Sequence, residues 1–251
     1  MLPTTVNALF ILIGSLAGLL LRRGMSEKLQ LAILDAMGLS AFGIGIHSLV
    51  NGMDQSGYPV LFIVSLAIGA LIGNWIDFKS RLEKLVARFQ GNGSGGSFSL
   101  DGLITAFLIF CVGPLAILGP IKSALENDGT LIYTNAVLDL VTSAILAASF
   151  GKSVIFASPI LFLWQGAIYV SALLFMKGTS PELLNELSLT GGFLIMATGL
   201  SILRIKDLKV LNLPPALAVP PHLLAVRALL ARAVQTGPQV PVSRRDRSHS
   251  A

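Results

Sequence analysis

Residues Leu131–Phe150 read LIYTNAVLDLVTSAILAASF, and Asp139 is the one formal charge in the stretch. A helix rising 1.5 Å per residue needs about 20 mostly apolar residues to cover the roughly 30 Å hydrocarbon core of a bilayer. This stretch has that length and composition. Working outward, six more qualify. In chain order the seven are Val6–Leu21, Leu29–Val50, Pro59–Asp77, Gly102–Ile121, Leu131–Phe150, Val154–Met176 and Leu187–Leu203.

The whole chain agrees. Hydrophobic residues make up 53% of the 251, and charged residues only 12%. A soluble domain carries about 25% charge. There is too little charge here to cover a soluble surface, and lipid needs no such cover. The net charge of +5 could suggest nucleic acid. The basic residues, however, sit in short gaps between apolar runs, where they set membrane orientation. The sequence therefore predicts an all-α transmembrane bundle of seven helices, not a soluble enzyme or a nucleic-acid binder. No basic residue precedes the first apolar stretch and no small-x-small site follows it closely, so it is expected to be a retained helix. The lone Cys111 excludes an intramolecular disulfide and argues against a cysteine-based metal cluster. No cofactor or metal is expected.

Basic residues occupy alternate gaps. Arg22, Arg23 and Lys28 lie in the first, Lys79, Arg81, Lys84 and Arg88 in the third, Lys152 in the fifth, and Arg204, Lys206 and Lys209 follow the seventh stretch. The intervening gaps hold Asp54, then Lys122 against Glu126 and Asp128, then Lys177 against Glu182 and Glu186. Basic loops stay in the cytoplasm. The expected orientation in the inner (plasma) membrane is amino terminus out and carboxyl terminus in.

Residues 1–78 form a first group of three helices. Residues 79–100 join it to the rest: Leu82, Leu85, Val86 and Phe89 share a face of an amphipathic segment, Ser80–Gln90, suited to the membrane surface, and Gly91–Ser97 is a flexible linker. Residues 101–178 hold three more helices, 179–221 the seventh helix and an apolar segment broken by Pro214, Pro215, Pro220 and Pro221, and 222–251 a cytoplasmic tail expected to be largely disordered. The broken segment reads as too short and interrupted to span.

The two groups of three resemble each other. Ala32-Ile33-Leu34-Asp35 matches Ala136-Val137-Leu138-Asp139, and Gly14-Ser15-Leu16-Ala17 matches Gly113-Pro114-Leu115-Ala116, at offsets of 104 (32 to 136) and 99 (14 to 113) residues. An odd-numbered repeat enters the membrane from the opposite side, which is the inverted repeat common in secondary transporters. Chance alignment of apolar runs is the competing explanation.

An ionisable side chain inside a membrane costs roughly 2.5–3.5 kcal/mol or more and is a functional candidate by default. Asp35 and Asp139 are such residues, at matching places in the suspected repeat. They suit a carboxylate pair that binds a cation or carries a proton. The structural alternative is a hydrogen bond to a neighbouring helix. Asn7, Asn135 and Gln165 join them as candidates, because a buried amide wants several partners. Asn135 lies one turn before Asp139. His47 is either a proton relay or a structural polar group. Asp77 and Asp101 read as solvated helix caps.

Small residues at Gly14/Gly18, Gly69/Gly73 and around Gly38, Gly43 and Gly45 predict close helix packing. Pro114 and Pro120, with Gly113 and Gly119, predict a kinked or broken fourth helix. Phe150-Gly151-Lys152-Ser153 looks like the end of a phosphate-binding loop, but Leu146 stands where a glycine is required and no strand precedes it. Nothing supports driving by ATP.

Val6-Asn7-Ala8 with Ile13-Gly14-Ser15, the run Cys111-Val112-Gly113-Pro114-Leu115-Ala116-Ile117-Leu118-Gly119, Leu138-Asp139 and Gln165-Gly166 together resemble the prokaryotic membrane-protein family known as domain of unknown function 554. The resemblance covers about residues 3–220, and the tail after Pro221 reads as this chain's own. Pro114 stands where the family usually has a small residue. The resemblance implies a polytopic inner-membrane protein, a transport candidate at most, with no substrate or mechanism. It also places Asn7, Asp139 and Gln165 within its motifs.

Three functions remain open. A secondary transporter or ion-conducting protein for a small solute or cation predicts a polar cavity near the midplane lined by Asp35, Asp139, Asn7 and Gln165. A non-transporting scaffold or regulatory protein predicts a tight bundle with no solvent path. A membrane enzyme would need a nucleophile or metal beside the carboxylates, and the sequence offers neither. The expected partners are the lipid bilayer, an unidentified small solute or ion and, as for many bundles of this size, a second copy as a homodimer.

Overall fold

The computed structural model describes residues 1–21, 26–77, 80, 81, 84, 100–111, 113–176, 180–224, 226 and 227. Among them are eight α-helices: α1 Leu2–Leu21, α2 Glu27–Gln55, α3 Leu61–Ile76, α4 Leu100–Cys111, α5 Pro114–Leu125, α6 Thr130–Phe150, α7 Ala157–Phe175 and α8 Pro181–Ile202. A 3-10 turn, Gly151–Phe156, joins α6 to α7, and two more, Val210–Asn212 and Pro214–Ala218, follow α8. The linker Gly91–Ser97 and most of the expected surface helix lie outside the described residues.

Local chemistry sets the helix ends. Ser26 and Ser180 each accept a hydrogen bond from the backbone three residues on, at 3.3 Å, and Pro181 follows Ser180 at the first helical position. Within the helices, the hydroxyls of Ser40, Ser65, Ser188 and Thr198 donate to the carbonyl four residues back at 2.8–2.9 Å. Such bonds let a polar side chain enter an apolar medium with its donor satisfied.

Glycine contacts fix the direction of each pass. Gly14 and Gly18 of α1 face Leu140, Ser143 and Ala144 of α6, and Pro3 faces Gly129, so α1 and α6 run parallel. The hydroxyl of Ser158 donates to the Ala8 carbonyl at 2.6 Å and Gly166 faces Met1, so α7 runs antiparallel to α1. The helical run Thr130–Phe175, 46 residues long, is therefore two passes that reverse at the 3-10 turn, where Gly151 takes φ 80°. Gly38, Gly45 and Gly52 of α2 face Leu203, Met196 and Leu189, an antiparallel pair along its whole length. Each direction agrees with seven alternating passes, the fourth being α4 and α5 bent by 46° at the break before Pro114.

The packing forms two bundles that cut across chain order. In the first, α1, α4, α5, α6 and α7 surround a core of Ile11, Phe110, Cys111, Val154 and Leu161. In the second, α2 pairs with α8, and α3 joins through stacked Phe62 and Phe193, ring centroids 4.6 Å apart. The bundles meet mainly where α5 touches α8 and α6 touches α2.

The proline-broken segment departs from expectation. Gly73 faces Asn212 and Gly69 faces Ala216, so the chain after α8 runs back along α3. It begins beside Asp77, near Lys209, and Arg227 ends 4.6 Å above the ring of Tyr58, at the other end of α3. Asn212, Ala216, Leu217, Val219 and Pro220 are buried. The segment packs on α3 and runs antiparallel to it. The prolines do not prevent it, because a backbone buried in protein can cross at membrane depth without being a regular helix. Residue 227 is thus at the opposite end of α3 from Lys209.

Candidate functional site

The structure brings together three of the six sequence candidates. On α6, Asn135 and Asp139 are one turn apart, and Asn135 Nδ2 donates to Asp139 Oδ2 at 2.6 Å. Asn7 of α1 stands beside Asp139, and neither atom of its amide reaches hydrogen-bonding geometry with any partner. Asn7 is fully buried and Asp139 is 5% exposed. Asp139 lies near the middle of its pass, nine residues after Thr130 and eleven before Phe150.

The other three lie elsewhere. Gln165 is fully buried on α7 with both amide atoms unpartnered. It shares a helix face with Ser158 but lies two turns further along, against the first turn of α1. Asp35 is exposed on α2, on the same face as exposed Leu39, Ile46, Val50 and Met53. The expected carboxylate pair does not form: α2 and α6 belong to different bundles, and Asp35 turns outward while Asp139 turns inward. The sequence match could not foresee this, because four similar residues fix a position along a helix and not the face that is buried. His47 lines an end cavity, its Nε2 3.0 Å from Asn51 Nδ2.

Two cavities open on the seam between the bundles. One, of about 630 Å³, lies at the Tyr58 end between α2 and α8 on one side and α5 and α6 on the other. His47, Ser48, Asn51, Asn185 and Ser188 line it, with Lys122, Glu126 and Asp128. Lys122 and Glu126 form an ion pair at 3.3 Å. The Thr130 side-chain and backbone donors hold the Asp128 carboxyl below the usual carboxylate range. The second cavity, of about 580 Å³, lies at the Asp77 end and reaches inward to Ile109, Gly113 and Thr142. At its mouth Ser80 donates to Asp77 at 2.6 Å, which lowers the Asp77 pKa. Leu118 of α5, which lines the first cavity, packs onto Gly191 of α8.

Sequence reading missed most of these lining residues. Asn51, Asn185 and Ser188 look like ordinary polar residues near helix ends, and only the pairing of α2 with α8 gathers them. The break at Gly113-Pro114 was readable, but its place beside a cavity was not.

Among the described residues, no group of three or more histidine, cysteine, aspartate or glutamate side chains is placed to hold a metal ion. The model for the family described as protein of unknown function (DUF554) matches residues 2–225. The chain is 42% identical to "Uncharacterized membrane protein YdfK" of Bacillus subtilis (strain 168), over 90% of this chain and 96% of that protein. It is 29% identical to "Uncharacterized protein YqgA" of Escherichia coli (strain K12), over 84% of this chain and 91% of that one. No solved structure matches the chain. With a polytopic helical fold and a family match over nearly its whole described length, the chain is a membrane protein that belongs to the DUF554 family.

Proposed function

We propose that this protein is a secondary transporter that moves a small polar solute along the seam between its two bundles. The observation that carries the reading is the pair of cavities on one seam at opposite ends, with Leu118, on the lining of the first, packed on Gly191 across the seam. Rocking one bundle against the other would open that contact to one side at a time, which is the geometry of alternating access. Short glycine-lined contacts within each bundle keep each body stiff. The polar lining of the Tyr58-end cavity suits a hydrogen-bonding solute.

The orientation follows the basic residues. Lys28, Arg81, Lys84, Lys152, Arg204, Lys206 and Lys209 gather at the Asp77 end, which we assign to the cytoplasm of the plasma membrane. The amino terminus is then outside, and so is residue 227. Lipid and the transported solute are the partners this reading requires, and it assigns the carboxylates ion binding and not catalysis. The inverted repeat is not needed: the two bundles each draw on both halves of the chain.

The test is flux into liposomes, screened over protons, monovalent cations and small organic solutes. A Leu118→Cys/Gly191→Cys variant on a Cys111→Ala background supplies the control. Crosslinking the two cysteines should stop flux, and reductant should restore it. Flux indifferent to the crosslink would remove the seam as the pathway. If no solute moves at all, the non-transporting scaffold becomes the better reading.

A further inference from the structure

The fourth pass breaks beside the buried carboxylate. Gly119 faces Ile132 and Gly102 faces Phe150, so the antiparallel register of α4 and α5 against α6 sets Asp139 level with the break between Cys111 and Pro114. Cys111, the last residue of α4, is close enough to Asp139 to feel its charge. The last carbonyls of a helix have no donors within it, and they carry the negative end of its dipole. Pro114 has no N–H to offer them. A carboxylate, an unpartnered amide and a helix carboxyl end therefore converge in the middle of the membrane.

Among the described residues the ion pair within 4 Å is Lys122–Glu126, so no basic side chain offsets Asp139. An unpaired buried charge costs several kcal/mol. Protonation would remove the charge and turn the carboxyl into a donor for the carbonyl oxygen of fully buried Asn7, which has no partner as the structure stands. A bound cation engages the carboxylate and the Asn7 carbonyl oxygen together. One carboxylate balances one positive charge, so the ion is monovalent. The donors are hard oxygens, which suits an alkali ion over a transition metal. Close packing around Asn7 and Asp139 favours the smaller one.

We propose that Asp139, Asn7 and the carboxyl end of α4 form a sodium site. Leu131, Asn135, Asp139 and Thr142 follow one another on successive turns of α6. Leu131 lines the Tyr58-end cavity and Thr142 the Asp77-end cavity, so the site lies between the two. Its role as the coupling ion rests on the transporter reading above, whereas sodium binding stands on this geometry alone.

The test is thermal unfolding of the purified full-length chain in sodium, potassium or choline chloride at constant ionic strength, at several pH values. Sodium should raise Tm saturably, and potassium and choline should not. Asp139→Asn should abolish the sodium shift. Asn7→Ala should raise the half-saturating sodium concentration at least tenfold, and Asp35→Asn should leave it unchanged. If Asp139→Asn does not fold, binding of radioactive sodium to wild type and Asn7→Ala decides the matter. A Tm that follows pH and ignores sodium overturns the proposal in favour of a proton site, and equal responses to sodium and choline overturn it outright. Sodium binding without any flux would remove the transporter reading and leave the site standing. Solute flux without sodium binding would do the reverse.

Discussion

The guanidinium of Arg227 lies over the ring of Tyr58, 4.6 Å from its centroid. Tyr58 joins α2 to α3 at the end where Ser56 donates to Glu186 at 2.5 Å. Lys209, only eighteen residues earlier in the chain (209 to 227), is at the Asp77 end. The contact therefore places residue 227 at the opposite end of α3 from Lys209, as a further membrane crossing would require. On a Cys111→Ala background, a cysteine at Val226 should react with an impermeant maleimide on intact cells, and a cysteine at Lys206 should react only after the membrane is opened. The reverse pattern would put residue 227 in the cytoplasm and sink that crossing. Loss of the Tyr58 ring alone should be mild, since an exposed cation–π contact is worth about 0.5–1 kcal/mol.

The packing of the segment after α8 depends on two glycines of α3. A Cβ on Gly73 would overlap the Asn212 carbonyl, and one on Gly69 would overlap Ala216. Backbone cannot move aside as a flexible side chain can. Gly73→Val should lower Tm by several degrees and expose the segment after residue 209 to protease. Gly43→Ala is the control, because a Cβ there meets nothing within 4 Å. In a helix interior it should be neutral or stabilising, by up to about 1 kcal/mol. Equal losses from both changes would mean that α3 does not hold the tail.

How legible was this in the sequence? Apolar length located all seven helical stretches, the fourth of them split into α4 and α5 in the structure. The prolines of 214–221 hid the packing of the segment after α8, which lies against α3 and α8. Gly69 and Gly73 announced a close neighbour but not its identity: it is a 3-10 segment and not a helix. For the site, Asn135 and Asp139 were readable as one face because they are one turn apart. Asn7 joins them only through the parallel packing of α1 on α6, which no local pattern encodes. Asp35 misled for the same reason, its polarity being visible and its outward face not.

Asp77 gives a pH prediction. It caps α3 at φ 43° and accepts from Ser80, with Asn212 and Lys209 as further partners. The Ser80 hydrogen bond is the largest cause of its lowered pKa, from an ordinary value of 3.8. A depressed carboxylate adds stability that is fully present above the unfolded pKa and is lost as pH falls through the folded one. Asp77→Asn should therefore be less stable than wild type at neutral pH. The difference should shrink below pH 3.8 and vanish once the native carboxyl is protonated. A difference independent of pH would show that the side chain acts by shape and not by charge.

Asp35 supplies the sharpest contrast with Asp139. Both are single carboxylates well inside a pass, yet Asp35 is exposed, on the face that carries Leu39, Ile46, Val50 and Met53. A carboxylate facing hydrocarbon costs up to a few kcal/mol, less as it nears the interface. Among the described residues nothing offsets that cost, so Asp35→Leu should leave stability in lipid unchanged or raise it, and should leave flux intact. Asp139→Leu should fail on both counts, because it strips the one hydrogen-bonding partner that the structure gives the Asn135 amide. Thermal unfolding in bicelles reads the first difference and liposome flux the second. If Asp35→Leu instead lowers stability, its face meets more than lipid. A matching drop in dimer content by crosslinking would then identify the neighbour as a second copy of the chain.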